Sequence, residues 1–395
     1  MKSKMHMKAV SRIKKCFALA ISLTLALSMS IPVFATAPND SADYTDSVFD
    51  SAMVFEKTQE LFSSIESNKE LFGMDDVDFG SIQIGEELSV YEVIDDCLVQ
   101  STSLHIFPIL ANSDMVCLLY MLQDGNEWAI QVGKGLVNKI NSFADDSPFA
   151  IIYAEEGTFV YTGTGYHLIA ESDCNQYTRL SASTEMFQTA TRSSISELTN
   201  SEFSKVVCQN ISEDITISAA NEESLERTLA EPGDYDVFCN VEKIQQPSGS
   251  WFCWACCIAS MVNYMYDGNE TYQSIAYLFN HYTDEGLSLS RVISEFNEWF
   301  DADYASTSSR NINQSFAYDE LCNDRLIIGA YSYAGYGHAV VICGVNADIG
   351  SYAFMDPAVG DYCAGVIYNT SGDWSFVSES SGHRFTMQGY GYYAG

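Results

Sequence analysis

Basic residues are scarce in this chain. Lys and Arg number 19 against 53 Asp and Glu, a formal net charge of −34. Such a surface repels nucleic acid and anionic lipid, so neither partner class is expected. Long apolar runs are scarce too, and beyond the first 35 residues none is long enough to span a bilayer. Paired metal-ligand motifs are also missing. Cys253-x-x-Cys256 has zinc-like spacing, but Cys322, Cys343 and Cys363 stand alone, and His281 and His383 have no sequence partner. No second pair completes a structural zinc site. The acidic stretch YDGNET lacks the alternating oxygen ligands of a calcium loop and reads as a turn with a helix cap. No metal, cofactor or internal repeat is expected.

What is present begins with a leader. Lys2, Lys4, Lys8, Arg12, Lys14 and Lys15 precede the apolar run CFALAISLTLALSMSIPVF, and small residues lead to Ala35. This is the pattern of a secretory signal peptide over residues 1–35; Pro32 and the small residues favour it over a membrane anchor. The mature chain is expected to be secreted and extracellular, with no membrane attachment. The full chain's twelve cysteines include Cys16, so cleavage leaves an odd number and at least one free thiol.

Three parts follow. Residues 36–174 read as a small α+β domain. Val48, Met53, Phe55, Leu61 and Ile65 recur at helical spacing, and β-rich runs follow, separated by Gly, Asn and Asp turns. His105 and His167 lie in strand-like contexts and read as structural. Residues 175–237 are rich in Ser and Thr, then acidic, and read as an exposed linker open to cleavage. Residues 238–395 place helices first and strands after, an α+β rather than an alternating arrangement.

The last part carries the chemistry. In QQPSGSWFCWACC a Gln pair and a turn precede Cys253, which opens a helix. A thiol there lies at the positive end of the helix dipole, which favours the thiolate. The turn lets a Gln side chain fold back beside the sulfur and hold a developing oxyanion. Cys256 and Cys257 follow on the same helix and read as packing or disulfide residues. A redox Cys-x-x-Cys is the rival, but its βαβ context is missing. In AGYGHAVVICGVN, His338 begins a strand, at the rim of a sheet, where its imidazole can take a proton from Cys253. In YAFMDP, Asp356 ends the next strand. The short turn NADIGS makes the two strands antiparallel neighbours and brings Asp356 to the far imidazole nitrogen.

The ordered set of Gln, Cys-Trp-Ala, Gly-His-Ala-Val-Val and Asp-Pro resembles the papain-like cysteine peptidases. The similarity is greatest to their compact bacterial branch, with the bacteriocin-leader peptidases, staphopain-like proteases and papain-like avirulence proteases. The resemblance covers roughly residues 238–360. It implies a papain-like catalytic domain over 238–395, a protein or peptide substrate, and hydrolysis through a Cys253 thioester. His338 would be base and acid, and Asp356 the orienting residue. The oxyanion Gln of papain lies six residues before the Cys, where this chain has Pro247; Gln246 is preferred, with Gln245 as the alternative. The resemblance also implies a zymogen. Residues 36–174 would then be a propeptide acting as an intramolecular inhibitor, with the activation cleavage in 175–237, although the same segment could serve as a targeting module. Two other classes stay open: a Cys-His-Asp amidase or transglutaminase-like acyltransferase acting on cell-wall peptides, and a non-catalytic binding module on a protease fold.

Overall fold

The computed structural model describes residues 51–94, 97–124, 127–143, 150–162, 165–172, 236–283, 285–348, 350–366 and 372–395. The leader, and all but the last two residues of the linker, lie outside the described residues, which all belong to one unit of the chain. Among them no helix is long and apolar enough to cross a membrane.

The N-terminal part begins with helix α1 (Ser51–Ser67), where the spacing of Leu61 and Ile65 predicts one. Strands follow at β1 (Ile82–Ile84), β2 (Ser89–Ile94), β3 (Cys97–Gln100), β4 (Leu104–Ala111), β5 (Asp114–Asp124) and β6 (Glu127–Gly133). A short helix α2 (Val137–Asn141) leads to β7 (Ala150–Ala154), β8 (Gly157–Tyr161) and β9 (Tyr166–Glu171).

The C-terminal part enters on β10 (Asp236–Phe238), then runs through α3 (Cys253–Tyr266), α4 (Tyr272–Leu278), α5 (Leu289–Phe300), β11 (Tyr304–Thr307) and α6 (Gln314–Cys322). Strands β12 (Ile327–Tyr333), β13 (Tyr336–Asn346), β14 (Ser351–Asp356), β15 (Asp361–Val366), β16 (Ser375–Val377) and β17 (Arg384–Tyr393) complete it. Helices come mostly first and strands after, the α+β order expected from the sequence. The YDGNET stretch is a turn and cap: Asp267 ends α3 at φ 55°, and Thr271 opens α4 with a capping box to Ser274. The C-terminal Gly-Tyr segment belongs to β17, seated between β12 and β11.

A single 12-stranded sheet organises the molecule, in the order β1-β4-β5-β6-β15-β14-β13-β12-β17-β11, with β10 beside β13 and β16 beside β17. The N-terminal strands β1 and β4–β6 therefore continue the sheet of the C-terminal part, joined where β6 runs antiparallel to β15. A second, five-stranded sheet, β3-β2-β7-β8-β9, holds the remaining N-terminal strands. Strand β13 is buried over nine consecutive residues from His338 to Asn346. A central strand covered on both faces reads as a continuous apolar run, and AVVIC is that run.

The largest core cluster runs across the junction. Leu61, Phe62, Ile65 and Phe72 from the N-terminal part lie in the same cluster as Tyr352, Ala353, Tyr362 and Ala364. Phe72 packs edge-on against Phe238 and Tyr362, with centroids 5.3 and 5.9 Å away. Edge-to-face pairs at these separations add to the area they bury.

Candidate active site

Cys253 is the first residue of α3 and is 8% exposed. The residue before it, Phe252, makes no side-chain cap bond. The first-turn N–H groups of α3 are thus not capped by that side chain, and the positive end of the helix faces the sulfur. Trp254 anchors the helix start: its indole Nε1 donates to the Glu285 carbonyl at 3.2 Å, and its ring stacks on Phe279 at 5.6 Å. Cys256 and Cys257 are fully buried behind this point. Burial, reinforced by the neighbouring Cys253, pushes both thiols well above the ordinary range, so they stay protonated and inert.

His338 lies near the start of β13 and Asp356 ends β14, the antiparallel neighbour of β13. Their side chains meet: His338 Nε2 lies 2.8 Å from Asp356 Oδ1, with both residues buried. Cys253 lies near enough to the imidazole to favour its charged form. With Nε2 engaged by Asp356, Nδ1 is the nitrogen that faces the sulfur. Burial opposes the imidazolium, but the Asp356 carboxylate and the Cys253 sulfur favour it, and the balance lies well above the ordinary 6.5. The imidazole is thereby suited to hold a proton taken from a neighbouring thiol.

The turn after β14 ties the remaining pieces together. Asp356 Oδ1 accepts the Ala358 N–H at 2.8 Å, and the Pro357 carbonyl accepts the Gln246 N–H at 2.9 Å. Gln246 is buried, and its Oε1 has no partner among the described residues. Gln245 is exposed and donates its side-chain amide to the Ala358 carbonyl at 3.3 Å. Of the two, Gln246 has its side chain inside the molecule beside this turn, and Gln245 spends its amide outside.

Sequence reasoning alone does not reach three contributors. Phe376 and Phe385 flank the His338 ring, with centroids 6.0 and 5.9 Å away, and shield the His–Asp pair from water. They arrive from β16 and β17, beyond any local motif. The third, Ala358, follows the Asp-Pro signal and acts through its backbone. His105 and His167 sit apart from this site: His105 Nδ1 pairs with Glu87 at 2.7 Å, and His167 stacks on Phe143 at 4.7 Å.

A nucleophile at a helix start, a histidine at a strand start and an aspartate at the next strand end define a class, and the comparison with protein families agrees. The C-terminal part of the chain is similar to the papain-like cysteine peptidases, which are hydrolases. Residues 232–368 match the family described as papain-like cysteine protease AvrRpt2. A search of curated proteins found no match.

Proposed function

We propose that the protein is a secreted cysteine endopeptidase made as a precursor, cutting peptide bonds through a thioester on Cys253. The observation that carries this reading is the buried 2.8 Å contact between His338 and Asp356, which leaves the other imidazole nitrogen for Cys253. His338 takes the thiol proton, and the thiolate attacks the scissile carbonyl. The tetrahedral oxyanion is held by the Cys253 backbone N–H and the Gln246 side-chain amide. His338 then protonates the leaving amine. A water deprotonated by His338 hydrolyses the thioester and restores the thiol. Asp356 holds the ring and stabilises the imidazolium throughout. Secretion rests on the leader sequence, and the precursor reading on the cleavable character of residues 175–237.

The test uses the purified full chain and the irreversible cysteine-protease inhibitor E-64, with the label mapped by mass spectrometry and casein cleavage followed with and without Cys253→Ala. Label on Cys253 and cleavage lost in the variant are expected. No label on Cys253 and unchanged cleavage in the variant would overturn the reading. Label without casein cleavage would move the substrate class to another amide, such as a cell-wall peptide.

A further inference from the structure

The connection expected to be cut joins two parts that share one sheet. We propose that the N-terminal strands are a permanent half of the peptidase: after a cut between residues 172 and 236, the piece carrying β1–β9 stays bound without a covalent link to the piece carrying Cys253, His338 and Asp356, and the active enzyme is a two-chain molecule. The proposal rests on the peptidase reading above.

The seam is a strand ladder extended by side chains. Strand β6 pairs with β15 from Gly133 opposite Cys363 to Ile130 opposite Val366. Without β6, the backbone groups of β15 would form an open edge beside an apolar core. Gln131 lengthens the ladder sideways: its amide donates to the Val377 carbonyl at 2.8 Å, and its side-chain oxygen accepts the Val377 N–H at 2.9 Å. The Thr158 hydroxyl donates to the Ser380 carbonyl at 2.8 Å, and the Tyr120 hydroxyl to the Glu379 carboxyl at 3.2 Å. Gln131, Thr158, Tyr120 and the segment Ser378–Ser381 are all almost completely buried. Pulling the halves apart would break these bonds together.

The cores interlock as well. Val377 of the C-terminal part sits in the cluster formed by Val90, Ile106, Leu118 and Val160 of the N-terminal part. In the other direction, Leu61, Phe62 and Ile65 belong to the cluster that contains Cys253. An interface that looks like a core cut in two is the mark of an obligate assembly rather than of a segment built to leave.

The seam also reaches the catalytic turn. Just after β6, Gly135 lies so close to Val359 that a Cβ on it would come within 2.5 Å of the Val359 Cβ. Val359 belongs to the turn in which Asp356 receives the Ala358 N–H and Pro357 receives the Gln246 N–H. The N-terminal half therefore braces the turn that carries both the orienting carboxylate and the oxyanion glutamine. An inhibitor must leave for the enzyme to work, whereas a brace must stay.

The experiment inserts a site-specific protease sequence within residues 175–235 of the full chain. The purified protein is cut and gel-filtered under native, reducing conditions, and each fraction is assayed for E-64 label on Cys253 and for casein cleavage. Both pieces are expected in one peak at the position of the uncut chain, with label and activity there. Separation under native conditions with an active Cys253 piece would overturn the proposal. So would a joint peak that becomes active only once the N-terminal piece is stripped away. If Cys253 takes no label in either the cut or the uncut chain, the peptidase reading fails, and the elution position still decides whether the halves stay together.

Discussion

At the scale of single residues, the proposed reactivity of Cys253 rests on its partners rather than on its own side chain. The chain has several thiols on the same helix or in the same core, and burial silences Cys256, Cys257, Cys343 and Cys363 by raising them well above the ordinary range. His338 is raised instead, through Asp356 and Cys253 against the opposing effect of burial. The imidazolium persists below its own pKa, which lies well above the ordinary 6.5, and is lost as pH rises through it. Asp356→Asn removes the strongest support of the imidazolium. It is expected to lower kcat on the order of 10²-fold or more and to move the alkaline limb of the kcat/KM profile toward lower pH. An unmoved limb would mean that Asp356 does not act on His338. Gln246→Ala is expected to lower kcat by about 10²- to 10³-fold with little change in KM, and Gln245→Ala far less, because Gln245 directs its amide to the Ala358 carbonyl. Cys253, His338 and Asp356 were legible in the sequence because each stands at the start or end of an element, flanked by Gly, Trp or Pro. The sequence already favours Gln246 over Gln245, and the fold adds that of these adjacent residues Gln246 is buried and Gln245 exposed.

At the scale of elements, the strands that build the site are readable as apolar runs, but their neighbours are not. The turn NADIGS predicts that β13 and β14 pair, and they do. Nothing local predicts that β6 meets β15, because pairing between segments so far apart in sequence is written in side-chain fit rather than in a turn. Gly133 is one such fit. A Cβ on this residue of β6 would lie 2.1 Å from Glu379 Oε1, so only glycine lets the carboxyl settle on the sheet. Gly133→Ala is expected to destabilise the protein by about 1–3 kcal/mol through overpacking, measured by denaturant titration. An unchanged midpoint would show that Glu379 has room to shift.

At the scale of the whole molecule, the seam holds a buried carboxyl. Burial raises Glu379 from 4.5 to about 7, and the nearby Asp356 and Asp361 add to this, against hydrogen bonds from Cys363 and Tyr120 that favour the charged form. Glu379 meets Cys363 Sγ at 3.1 Å and the Tyr120 hydroxyl at 3.2 Å. The folded-state value is raised, so the protonated form is favoured on folding. That stability is fully present below about pH 4.5 and is lost as pH rises through about 7. The loss is on the order of 3 kcal/mol at one such fully buried site. Glu379→Gln keeps a neutral side chain of the same shape. Its Tm is expected to fall less than that of the unaltered protein between pH 5 and 8 on the pH scale of that titration. Parallel Tm curves for the two would remove Glu379 as the source. The sequence shows Glu379 only as one acid among 53; its place in the seam follows from the pairing of β6 with β15.

The central claim is that His338 and Asp356 activate Cys253 above every other thiol of the chain. The rate of iodoacetamide alkylation at each cysteine, followed by peptide mass spectrometry across pH, tests it most directly. Cys253 is expected to react faster than every other cysteine, and His338→Ala is expected to remove that lead. Alkylation of Cys253 no faster than that of the other thiols in the unaltered protein, or a rate indifferent to His338→Ala, would contradict the account.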